Sequence, residues 1–281
     1  MGDTTNPPSR TDSPASRSAT PKKQVRILML HGYTQSGPLF RAKTRALEKL
    51  LAKALAPIGL VPSLLYPTGP NRLSVKDIPG YEPRDGCGGA SAEDEDNMID
   101  SWAWFRRDEA TGRYRFLEEG MRRLAEVVSE ARVKVGGEGF VDGVVGFSQG
   151  GCMAGMLASA MEEGREVVVP EEHQGWLRAV REANGGRALK FAVIYSGFYA
   201  VPQDLAWLYA PKIKTPTLHF LGSLDTVVCE SRSQGLLERC EDPMVLTHPG
   251  GHHVPVSKEW VMPLAGFVKK CLEEEGEGTK L

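Results

Sequence analysis

A chain of 281 residues, 41% hydrophobic and 25% charged, has the composition of a globular domain and the length for one large α/β domain or two small ones. A formal net charge of −2 supplies no basic field, and no nucleic-acid motif stands out, so nucleic acid and anionic lipid are excluded as expected partners. Five scattered cysteines without a CxxC pair argue against a disulfide framework or a zinc site. No apolar run approaches the ~20 residues of a membrane span. Thiols of this kind fit a reducing compartment, which places the chain in the cytoplasm with the nucleus also open.

Residues 1–24, MGDTTNPPSRTDSPASRSATPKKQ, lack the apolar core of a signal peptide, and their Ser, Thr and Pro content predicts a disordered tail. Asp3, Asp12 and the prolines speak against a transit peptide, and Asn6 breaks the usual myristoylation motif that Gly2 would begin. A single domain is expected over 25–272, followed by an acidic tail at 273–281.

Val25 to Leu30 reads as a strand buried on both faces, ending in a His-Gly turn. A helix follows, with Leu39, Ala42, Ala46, Leu50 and Leu51 at helical spacing, and Pro57 and Gly59 end it. LVPSLLYP is a second strand. Strand, helix and strand in that order predict a right-handed crossover and a parallel sheet. The stretch from Thr68 to about Asn97 is rich in Gly, Pro and acids, and a loop of that length in a compact domain is functional or disordered. In SWAWFRRDEATGRYRF, the aromatics Trp102, Trp104 and Phe105 are either core or a substrate wall.

LEEGMRRLAEVVSEARVK predicts an amphipathic helix, and FVDGVVGF the strand after it. QGGCMAGMLASAMEEG is a helix of small residues suited to close packing on a sheet. PEEHQGWLRAVREANGGRA reads as a charged surface excursion. LKFAVIYSGFYA and PTLHFLGSLDTVV contain further strands. CESRSQGLLERC is a helix, PMVLTHPGGHHVP the last strand and its loop, and SKEWVMPLAGFVKKCLEE the closing helix.

Gly146-Phe147-Ser148-Gln149-Gly150 is a G-x-S-x-G pattern. Its context gives it weight, because it joins a β-branched strand to a helix of small residues, as in a nucleophile elbow. Such a turn strains the serine backbone, needs glycine neighbours and leaves Oγ exposed. It also sets the Gln149 N–H at a helix N-terminus, where negative charge is favoured. A serine hydroxyl requires a base, and the base an orienting acid, in the chain order Ser, Asp or Glu, His. Asp225 follows the strand PTLHFLG, with a helix N-cap as its competing role. His252 follows Gly250 and Gly251 and is preferred as base over His248 and His253. His173 and His219 are expected to serve no chemistry. The loop HGYTQSG would provide the second oxyanion donor, Tyr33 N–H first and Thr34 N–H as the alternative, with His31 bracing the loop.

Taken together, ILMLHGYTQSG, FVDGVVGFSQGG, YSGFY, PTLHFLGSLDTVV and HPGGHHVP resemble the fungal serine hydrolase family of α/β-hydrolases, which includes ovarian-cancer-associated protein 2 homologues and fungal polyketide-releasing thioesterases. The similarity runs from about Val25 to about Cys271. It implies an α/β-hydrolase fold, a parallel-dominated central sheet with helices on both faces. It also implies a catalytic set of Ser148, Asp225 and His252, no metal or other cofactor, and a small-molecule ester or thioester as partner, an acyl group on a carrier included. The stretches 79–97 and 167–187 look longer than the family pattern and are candidates for shaping the pocket entrance. The expected function is hydrolysis of carboxylic esters or thioesters through an acyl-enzyme on Ser148. The alternative is a non-catalytic small-molecule binder on the same scaffold.

Overall fold

Six strands pair in parallel in the order β10-β9-β8-β7-β1-β2. They are β1 (Lys23–Leu30), β2 (Leu60–Leu65), β7 (Gly143–Phe147), β8 (Phe191–Tyr195), β9 (Thr217–Gly222) and β10 (Met244–His248). This computed structural model describes residues 22–78, 80, 99–134, 136, 137 and 139–277. The tail 1–21 and the loop stretch 79–97 apart from Gly80 therefore lie outside the described residues.

The central strands are apolar because both faces are covered, and their side chains alternate between two cores. Val25, Ile27 and Met29 of β1, Val145 and Phe147 of β7, and Phe191, Val193 and Tyr195 of β8 share one core. Leu28, Leu30, Val144, Ala192 and Ile194 point to the other. Helices α1 (Gly37–Leu55) and α6 (Lys258–Glu277) cover the first face. Helices α2 (Leu117–Val133), α3 (Gln149–Met161) and α4 (Glu171–Ala183) cover the second, and a short helix α5 (Glu230–Leu237) follows β9. Two small antiparallel two-stranded sheets pair β3 (Asn71–Arg72) with β4 (Trp102–Ala103) and β5 (Arg106–Arg107) with β6 (Tyr114–Arg115).

Three sequence expectations are corrected. The buried stripe of α1 is Phe40, Thr44, Leu47, Leu51 and Leu55, whereas Leu39 is 38% exposed and Ala42 and Ala46 face outward. Ser36 caps the helix and accepts the Leu39 N–H, and packing of Phe40, Leu47, Leu51 and Leu55 in the core under the sheet decides which face is buried. The segment 167–187 is no surface excursion. It contains α4, which buries His173, Trp176, Leu177, Val180 and Ala183, and its charges occupy only the outer face. The domain also extends beyond its expected ends. β1 starts at Lys23, and α6 runs through Glu277 into the expected tail because no breaker interrupts Glu273–Glu275.

Strand order reverses at β1, since the chain moves outward to β2 and then returns to build β7 to β10 on the other side. The crevice at the carboxyl ends of β1 and β7 is thus the topological switch point, where open parallel sheets bind ligands.

Candidate active site

The turn after β7 is held by close backbone approach. A Cβ on Gly146 would collide with the Gly150 carbonyl, and one on Gly150 with the Leu30 carbonyl. Glycine at both places lets α3 pack against the sheet directly, and every residue of α3 is buried. Ser148 occupies the bend at φ 55° and ψ −115°, a conformation a non-glycine residue adopts only under constraint. The Ser148 N–H is anchored on the Tyr195 carbonyl at 2.9 Å.

From that bend Ser148 Oγ lies 2.9 Å from His252 Nε2, and His252 Nδ1 lies 2.8 Å from Asp225 Oδ2. The three residues come from the carboxyl ends of β7, β9 and β10. The loops carrying the acid and the imidazole are stitched together. Ser223 N–H donates to the His248 carbonyl and Leu224 N–H to the Gly250 carbonyl. Gly222 has no room for a Cβ between the Gly250 and Gly251 carbonyls.

Asp225 uses its two oxygens differently. Oδ1 accepts the N–H groups of Val227 and Val228, each at 2.9 Å, which leaves Oδ2 to the imidazole. The N-cap of α5 is Cys229, so Asp225 holds a turn ahead of the helix and does not cap it. Burial pushes the Asp225 carboxyl upward, but the hydrogen bonds from His252 and Val228 outweigh it and hold the group below its ordinary value. Asp225 is thereby an anion where an imidazolium would form.

The other histidines are engaged elsewhere. His248 Nδ1 accepts the Gly250 N–H, and the exposed His253 ring packs edge-on against His248. His173 Nδ1 accepts the Trp207 Nε1–H, and His219 Nε2 faces the Cys240 thiol. His31 donates from Nδ1 to the Gly32 carbonyl and accepts the Gly69 N–H at Nε2, tying together the loops after β1 and β2. Burial lowers its pKa from 6.5 to about 4, so His31 is a neutral brace.

In the loop after β1, Thr34 N–H donates to the Trp102 carbonyl and is occupied. Among the described residues the N–H groups of Tyr33 and of Gln149, at the first position of α3, have no intramolecular acceptor. Both residues line the cavity into which Ser148 opens. The three aromatics separate. Phe105 lines that cavity and stacks on Tyr114, with ring centroids 4.1 Å apart. Trp104 is fully buried, donates through Nε1 to the His31 carbonyl and lies outside the lining; Trp102 is half-buried and also outside it. Among the described residues none of 167–187 reaches the cavity.

One role escaped the sequence reading. The Gln149 side chain accepts the Trp104 N–H and donates to the Phe105 carbonyl, both at 2.8 Å, fastening the β4–β5 segment over the elbow. The glutamine inside G-x-S-x-G was the only available signal, and its partners lie 44 and 45 residues away.

Residues 19–264 match the family described as Serine hydrolase (FSH1). The chain is 32% identical over 259 residues to Family of serine hydrolases 3 of Saccharomyces cerevisiae, covering 91% of this chain and 87% of that protein. It is 30% identical over 248 residues to Esterase OVCA2 of Danio rerio, covering 88% and 97%. It also matches the Schizosaccharomyces pombe protein named Dihydrofolate reductase at 31% identity, spanning only 44% of that protein's length. Among solved structures, Zea mays acyl-protein thioesterase 2 is similar with a TM-score of 0.50 at 18% identity, covering 90% of this chain and 97% of that one. That likeness concerns the α/β-hydrolase fold.

Proposed function

Because this chain belongs to the serine hydrolase (FSH1) family, we propose that it hydrolyses carboxylic esters or thioesters through an acyl-enzyme on Ser148. The observation that carries this reading is the hydrogen-bonded line from Ser148 Oγ through His252 to Asp225 at 2.9 and 2.8 Å. Ser148 Oγ attacks the acyl carbonyl while its proton passes to His252 Nε2. The Asp225 carboxylate holds the imidazole in the tautomer with its proton on Nδ1 and stabilises the imidazolium. The N–H groups of Tyr33 and Gln149 receive the developing oxyanion, a donor pair of the kind worth about 3–4 kcal/mol of barrier per donor. His252 then protonates the departing alcohol or thiol. A water delivered through the same base cleaves the acyl-enzyme and restores the serine. No step draws on a metal or other cofactor.

The test is fluorophosphonate labelling of wild type and Ser148→Ala, run beside turnover of short p-nitrophenyl esters and matched thioesters. Labelling and turnover of the wild type, both lost in Ser148→Ala, are expected. Equal labelling of the two proteins would sink the assignment. An absence of turnover with either ester class would favour a non-catalytic binder on this scaffold.

A further inference from the structure

The cavity of about 580 Å³ that receives the Ser148 hydroxyl carries a charge that ester cleavage alone does not use. Among the described residues five cations line it, Lys76, Arg106, Arg107, Arg115 and Arg232, against three carboxylates, Asp77, Asp108 and Glu109. The chain as a whole has a formal net charge of −2, so this excess of positive charge is local.

The internal pairs can be subtracted. Arg106 binds Asp77 with two donors, at 3.2 and 3.0 Å, and gives a third bond to the Arg72 carbonyl. Asp108 accepts the N–H and the hydroxyl of Thr111, closing the turn between β5 and β6. Those partners are neutral and hold Asp108 as an anion, so among the described residues Asp108 and Glu109 remain in the lining against four cations, Lys76, Arg107, Arg115 and Arg232. Among the described residues none of these four cations is ion-paired.

Two of them are positioned by rings. The Arg232 guanidinium carbon lies 4.1 Å from the Phe198 ring centroid, and that of Arg115 lies 5.2 Å from the Phe116 centroid. Stacking on an aromatic face orders the guanidinium and leaves its edge donors open to a planar or tetrahedral anion. Arg115 also stands directly opposite Arg106 across the hairpin, a like-charge arrangement that costs stability. The same lining includes Phe105, Tyr114, Phe198 and Val228, apolar surface for a connecting chain.

We propose that the ester or thioester cleaved at Ser148 carries a second, anionic group, a carboxylate or a phosphate, held at the cavity rim by Arg107, Arg115 and Arg232. This inference rests on the hydrolase reading and names its substrate class. The three arginines determine specificity and take no part in bond breaking.

Two matched substrate pairs test it and locate the anion. On the acyl side, the p-nitrophenyl monoester of glutaric acid is compared with its methyl-capped diester. On the leaving-group side, butyryl-coenzyme A is compared with butyryl-pantetheine. In one pair the charged member is expected to have the higher kcat/KM, by about tenfold or more at low salt, and the preference shrinks as salt rises. The pair that shows it identifies which side carries the anion. The combined variant Arg107→Glu, Arg232→Glu is expected to invert the charged-to-neutral ratio, and the corresponding Lys variants to keep most of it. A structural defect lowers both members together and leaves the ratio in place. Equal rates within both pairs, or a ratio unmoved by charge reversal, overturn the proposal and leave the hydrolase reading intact. No turnover of any of the four substrates overturns the proposal, and fluorophosphonate labelling of Ser148 then decides whether the hydrolase reading falls with it.

Discussion

The loops after β1 and after β10 each present a histidine at the carboxyl edge of the same sheet, and the two imidazoles meet opposite surroundings. His31 is fully buried and bonded to backbone on both nitrogens, the Gly32 carbonyl and the Gly69 N–H. Its tautomer is set by groups that never change protonation, and burial holds its pKa near 4. The His252 side chain is 16% exposed, with a carboxylate on one nitrogen and a hydroxyl on the other. One partner stabilises an added proton and the other can supply it. What its two nitrogens face suits a histidine to act as a base, and position at a strand end does not decide the matter.

The comparison breaks most sharply at His252. His252→Ala is expected to lower kcat by about 10⁴-fold or more with a near wild-type melting temperature, as read by ester turnover and calorimetry. Asp225→Asn is expected to lower kcat by about 10²–10⁴-fold, because the amide neither enforces the Nδ1–H tautomer nor compensates the imidazolium. Its acylation step, which releases the alcohol or thiol, and its deacylation step should slow together in burst kinetics.

At the other loop the balance reverses. His31→Ala should cost about 3 kcal/mol of stability, from a cavity and two unsatisfied backbone groups, with a far smaller loss of kcat than either substitution above. The same residue sets a pH signature. Unfolded His31 takes up its proton near the ordinary value of 6.5 and the folded residue only near 4. Its contribution is therefore complete above pH 6.5 and is lost as pH falls toward 4, a change of about 3 kcal/mol. Urea midpoints across that window should fall in the wild type and fall less steeply in His31→Ala, the slope that remains coming from the buried His219, whose pKa burial also lowers, to about 3. The smallest effect belongs to the exposed His253. His253→Gln should change kcat by less than about twofold and stability by less than about 0.5 kcal/mol. A large loss there would mean the base had been assigned to the wrong residue of the adjacent pair.

Much of this architecture was readable in one dimension because it depends on local patterns. Apolar runs of strand length, small residues after Gly146 and glycines before His252 mark strands, elbow and loop without knowledge of any neighbour. The misreadings arose where a distant partner decided. The face of α1 followed the core it met, and α4 looked like a surface segment because its charges outnumber the stripe formed by Trp176, Leu177 and Val180. Trp104 and Phe105 are adjacent in the chain, yet one is sealed against His31 and the other lines the cavity. Nothing local separates them.

The order of Ser148, Asp225 and His252 along the chain, and the parallel sheet that brings their strand ends to one edge, follow from residue pattern, since periodicity and turn chemistry act over a few residues. Which nitrogen faces which oxygen, whether Tyr33 or Thr34 keeps a free N–H, and where charge collects are settled by contacts between residues far apart. Thr34 gave up its N–H to a carbonyl 68 residues on, at Trp102. Among the described residues a chain of net charge −2 gathered five cations against three carboxylates around the cavity of its serine, because net charge is a sum over residues, whereas the field inside a cavity depends on their distances.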